Sequence, residues 1–131
     1  MEKKSPVYMR MILFVAIFLL ISLSISGCKK ESKLNETNTR TAKRVISTVD
    51  DYLEGNISTE EAREVMDEES VNVTEEEGTI NSTYSTSLKV EIGRIGTSLD
   101  MISWGNENDN VANIKRDRNS IAEYIGEKKI K

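Results

Sequence analysis

Few side chains in this 131-residue chain can do chemistry of their own. There is one cysteine, Cys28, and no histidine. Without imidazole, histidine-based triads, His-rich zinc sites and His acid–base chemistry are excluded. Cys28 has no second thiol with which to form an intramolecular disulfide. It follows Ile25, Ser26 and Gly27 at the end of an apolar stretch. Ser26 and Gly27 are small enough to admit a peptidase at the bond between Gly27 and Cys28.

The residues before Cys28 have the layout of a secretory leader: Lys3, Lys4 and Arg10, then an apolar run from Met11 to about Ile21, then small residues. A retained transmembrane helix competes with this reading. Met11 to Ile25 supplies only about 15 largely apolar residues, against roughly 20 for a spanning helix. A start near Val7 would lengthen it. Ser26-Gly27-Cys28 favours the leader, because a spanning helix gives no reason for that thiol. Ile25-Ser26-Gly27-Cys28 resembles the lipobox of bacterial lipoproteins. The resemblance implies a diacylglycerol thioether on Cys28, cleavage after Gly27, and often acylation of the new N-terminus. Two acyl chains give stable anchoring where one gives reversible binding. The expected location is therefore the extracytoplasmic side of a cell membrane, with membrane lipid as the first partner. The expected organisation is a signal peptide over 1–27, a flexible lipidated tether over 28–38 and a helical domain over 39–131.

Of the chain's 18 basic and 22 acidic residues, Lys3, Lys4, Arg10 and Glu2 fall in the leader. The remainder keeps 15 and 21, a net charge of −6, which argues against nucleic acid as a partner. Lys29, Lys30 and Lys33 lie beside the anchor, where they either touch lipid headgroups or form a solvated stem. No phosphate-binding loop or HExxH pattern occurs, no cofactor is implied, and no catalytic constellation is visible. The expectation is a protein that is not an enzyme.

Carboxylates remain. Asp50 to Glu61 resembles the 12-residue EF-hand calcium frame, with Asp50, Glu54, Asn56, Ser58 and Glu61 as candidate ligands and Gly55 at the sharp turn. Tyr52 stands where an oxygen ligand belongs. A helical hairpin accounts for the same residues without a metal: Gly55 stops one helix, and Ser58 and Glu61 form a capping box for the next. The nine carboxylates between Glu60 and Glu77, set against Arg63 alone, read as a solvated face or a docking face.

Apolar spacing organises the rest. Val45, Val49, Tyr52 and Leu53 share a stripe, with Ala42 and Ile46 at its margins. Ala62, Val65 and Met66 make a short one. Ile80, Tyr84, Leu88, Ile92, Ile95, Leu99 and Ile102 make a long one. Val111, Ile114, Ile121 and Ile125 make the last, with Arg118 in register, expected to lay its stem on the core edge and keep its charge wet. Helices are expected over 39–54, 59–69, 82–103 and 110–126. A strand over 87–92 is the competing assignment. Gly93 and Gly96 mark either close helix packing or a break. Tyr84 and Tyr124 are expected to pack. Trp104 reads as a core plug, with a protein-contact role as its alternative. The fold expected is all-α, a small three- to four-helix bundle.

The mature chain, with its hairpin turn from Asp51 to Ala62, resembles small lipoproteins of low-GC Gram-positive bacteria, a likeness that assigns no activity. The leading expectation is a membrane-anchored helical protein that contacts an envelope or extracellular protein. A small-ligand or calcium-binding module is the alternative.

Overall fold

Asn35 starts the first helix. Its side chain accepts from the Asn38 amide at 2.7 Å, and α1 runs Glu36–Leu53. A computed structural model describes residues 31–131; Gly27, Cys28 and the rest of the expected leader lie outside the described residues. Three further helices follow: α2 at Thr59–Asn72, α3 at Thr79–Ser103 and α4 at Asn108–Tyr124. They form an all-α bundle with no strand among the described residues. Residues 87–92 are helical, inside α3.

The first and third helices end in the same way. Gly55 has φ +78°, and Gly105 has φ +97°. The Gly55 amide donates to the Tyr52 carbonyl and the Asn56 amide to the Asp51 carbonyl. Fifty residues on, Gly105 donates to Ile102 and Asn106 to Met101. Both are Schellman caps, which require a left-handed residue that glycine adopts without a Cβ clash. The match extends into the helices: Arg44 and Arg94, and Asp50 and Asp100, also stand 50 apart. The two turns and the helices that lead into them thus correspond at a spacing of 50 residues.

The hairpins pack as a ring. α1 touches α2 and α4, and α3 touches α2 and α4, while α1 and α3 meet only slightly across the centre. Equivalent positions fill the core from both sides: Ala42, Val45 and Val49 on α1, and Ile92, Ile95 and Leu99 on α3, all essentially inaccessible. Met66 from α2 and Ile114 and Ile121 from α4 close it. Burying each large aliphatic side chain stabilises the fold by roughly 1.5–3 kcal/mol. Matched ion pairs join the hairpins. Arg63 Nε on α2 donates to Asp100 Oδ1 on α3 at 2.8 Å, and Arg118 Nε on α4 donates to Asp50 Oδ1 on α1 at 2.9 Å.

Several expectations change. Residues 28–30 of the expected tether lie outside the described residues, and from Ser32 onward the segment is bonded to the bundle. The Lys33 amide donates to the Tyr124 carbonyl at 2.8 Å, Leu34 is buried, and the Lys33 ammonium lies 4.9 Å above the Tyr84 ring. Helix α1 begins earlier than expected because Asn38 and Thr41 are buried polar residues that an apolar stripe does not reveal. Arg118 does not keep its charge in water. Its side chain is 5% exposed and is held by Asp50. Helix α3 runs unbroken through both glycines. A Cβ on Gly93 would meet nothing within 4 Å, whereas one on Gly96 would touch the Arg63 guanidinium at 3.6 Å. Only Gly96 marks a close approach. Tyr84 and Tyr124 do pack, edge to face at 5.6 Å.

Candidate contact site at the hairpin-turn end

The up-down-up-down order places the Gly55 and Gly105 turns at one end of the bundle. The chain enters at the other end, where Lys33 is bonded to the last residue of α4. Trp104 caps α3 at the turn end. Its amide donates to the Asp100 carbonyl at 3.3 Å, and Gly105 then reverses the chain, turning the indole away from the core. Trp104 is 76% exposed. The core-plug expectation is overturned: the apolar positions of α3 run through Leu99 to Ile102, and residue 104 falls off that face. An exposed tryptophan carries a large apolar area on two rotatable bonds, the property that concentrates this residue at binding centres.

At the same end an open groove of about 610 Å³ lies between the two turns. Tyr52, Leu53, Ile57, Ile102 and Val111 supply apolar walls, and Ser58, Thr59 and Glu107 polar ones. No family model matches this chain, and no curated protein or solved structure is significantly similar to it.

The candidate calcium ligands lie around the first turn, but each is engaged by protein. Asp50 accepts two bonds from Arg118, from Nε at 2.9 Å and from Nη2 at 2.7 Å. Glu54 and Asp51 accept from the Asn56 amide group. Glu61 Oε2 accepts from the Ser58 amide at 2.7 Å and its hydroxyl at 2.8 Å, and the Glu61 amide donates back to Ser58 Oγ at 3.2 Å. This is the capping box expected of the hairpin. The Ser58 amide, then its hydroxyl, hold the Glu61 carboxyl below its ordinary range. Among the described residues, no three potential ligands of the His, Cys, Asp or Glu type gather to hold a metal ion.

The acidic stretch is likewise tied into the bundle. Arg44 bridges Glu68 and Glu69 at 2.8 and 2.7 Å, and Arg63 pairs with Asp67 as well as Asp100. Glu76 Oε1 accepts from the Asn35 amide and from Asn38 Nδ2. One carboxylate pair went unnoticed in the sequence. Glu91 on α3 and Asp117 on α4 are both buried between those helices. Asp117 stands three residues after Ile114 and four before Ile121, in register with the apolar face of α4, and that register was the available signal. No helix among the described residues is long and apolar enough to cross a membrane.

Proposed function

We propose that this chain is a lipid-anchored extracytoplasmic protein, held by acylated Cys28, whose helical bundle meets an envelope or extracellular protein through the end that carries Trp104. The observation that carries the reading is the position of that indole. It is exposed at the end of the bundle farthest from the point where the chain enters. Helix α1 alone spans about 27 Å at 1.5 Å per residue. Three residues separate Cys28 from Ser32, whose side chain is fixed to the bundle through its 2.8 Å bond with Thr39. The four residue steps from Cys28 to Ser32 reach at most about 14 Å. An anchor at Cys28 would hold the entry end near the bilayer and point the turn end outward. The groove between the turns then adds apolar walls for a partner's side chain at the same end of the bundle.

The reading is tested by photo-crosslinking in intact cells, with the crosslinking residue placed at Trp104 or at Lys43 on the exposed flank of α1. A discrete protein adduct from position 104 and none from position 43 is expected. Equal adduct patterns, or none from 104, would remove the contact role from this end.

A further inference from the structure

Glu91 and Asp117 meet across the α3–α4 interface. Glu91 is 9% exposed and Asp117 1%. Asp117 Oδ1 accepts from Arg116 Nε at 2.9 Å. Arg94 Nη1 stays 3.5 Å from Glu91 Oε2, which is too far for a good hydrogen bond. One oxygen on each side, Glu91 Oε2 and Asp117 Oδ2, is buried with no donor. Among the described residues these are the two buried side-chain polar atoms without a hydrogen-bond partner. Buried acceptors without donors are expensive, and native interiors rarely keep them.

One donor placed between the two carboxyls would serve both. We propose that Glu91 and Asp117 share a single proton in the folded bundle, forming a pH-sensitive latch that fastens α3 to α4. Two carboxyls confined to one site do not both ionise readily, and the proton they retain belongs to the pair. Burial, and then the negative charge of Asp117, push the Glu91 carboxyl above its ordinary value of 4.5, while Arg94 acts the other way.

The surrounding charges fit a proton better than a metal ion. From α3 comes Arg94, and from α4 come Arg116 and the Tyr124 hydroxyl. The charged group that α2 lays against α3 is Arg63, farther along at Gly96 and Asp100. On α1, Asp50 is bound to Arg118, and Arg44 to Glu68 and Glu69. A divalent cation at the pair would meet the positive charge of Arg94 beside Glu91 and of Arg116 beside Asp117. A proton adds a single charge and needs no coordination shell. The outer groove between α3 and α4, about 530 Å³ and lined by Gly93, Thr97, Asn113, Arg116 and Asp117, opens onto the Asp117 side of the pair.

The sign follows from proton linkage. A carboxyl raised in the folded state takes up a proton on folding. Its contribution is complete below the ordinary value of 4.5 and is lost as pH rises through the folded value. The latch is therefore closed in acid and opens toward neutral and alkaline pH, whether or not Cys28 carries lipid.

The test uses the full-length protein in detergent micelles. The side-chain carboxyl of Glu91 is followed by carbon NMR from pH 3 to 9, and thermal unfolding of wild type and Glu91→Gln is compared over the same range. The glutamine amide supplies a permanent donor to Asp117 Oδ2. Glu91 is expected to titrate above its ordinary value. The midpoints of the two proteins should coincide near pH 4.5 and separate as pH rises, the variant standing higher by on the order of 5 °C at pH 8. Titration of Glu91 at or below its ordinary value, or a gap that does not change with pH, would overturn the latch. So would a saturable rise of the wild-type midpoint with calcium, magnesium or manganese that is lost in Glu91→Gln, which would assign the pair to a cation.

Discussion

Arg118 grips Asp50 at two points, from Nε to Oδ1 at 2.9 Å and from Nη2 to Oδ2 at 2.7 Å, and so ties the last helix to the first. Its third nitrogen, Nη1, donates to the Lys128 carbonyl at 2.7 Å and holds the C-terminal segment. The guanidinium is buried while Asp50 is one-third exposed, so the pair lies at the core edge. Removing the arginine leaves a carboxylate and a carbonyl without their donor. Arg118→Ala is expected to lower stability by about 2–3 kcal/mol, less than for a fully buried pair because Asp50 retains some solvent. Arg118→Lys keeps the charge but loses the planar fork, and should recover less than half of the loss. Urea unfolding checks both: the midpoint should fall with the slope unchanged.

Asn38 fastens the α2–α3 loop to α1. It is fully buried and uses both ends of its amide. Oδ1 accepts from the Thr74 amide at 2.9 Å and its hydroxyl at 3.2 Å. Nδ2 donates to the Thr74 carbonyl at 2.9 Å and to Glu76 Oε1 at 2.8 Å. Asn38→Ala orphans these partners and should destabilise by about 2–3 kcal/mol. Asn38→Asp keeps the shape but sets a carboxylate against Glu76, so its defect should be worse at pH 7 than at pH 4. Hydrogen exchange at the Thr74 amide reports the loop directly and should quicken in both variants.

Ser58 and Glu61 make a third, local prediction. Ser58→Ala removes the acceptor for the Glu61 amide and should lower stability by about 1 kcal/mol. The pH dependence of this cap opposes that of the Glu91–Asp117 pair. Glu61 is held below its ordinary value of 4.5, so its support is present above that value and disappears as pH falls through the folded value. The gap between the thermal midpoints of wild type and Glu61→Gln should therefore close on acidification.

The local punctuation of the fold was legible in the sequence. Gly55, Ser58 and Glu61 announce the first hairpin because caps depend on residue type and short spacing. The long apolar stripe from Tyr84 to Ile102 announces α3. The partners of the polar interior were not legible. Asn38, Asp117 and Arg118 are buried by partners 36, 26 and 68 residues away, Thr74, Glu91 and Asp50, and no local pattern encodes those meetings. Apolar spacing also misled at Ile80, which continues the α3 stripe yet is exposed in the first helical turn. The repeat was hidden because few identities carry it; hydrogen-bonded turns at Gly55 and Gly105 reveal what Arg44, Asp50, Arg94 and Asp100 alone do not. Trp104 was open to two readings because its exposure depends on where the Schellman turn sends the chain.

The proposed orientation of the bundle rests on a lipid anchor at Cys28, and mass spectrometry of protein extracted from membranes tests that anchor most directly. The expected N-terminal peptide begins at Cys28 and carries a thioether-linked diacylglycerol, and Cys28→Ser should leave the leader uncleaved and unlipidated. A chain recovered from wild type with an unmodified Met1 to Cys28 segment would contradict the anchor, and with it the outward placement of Trp104.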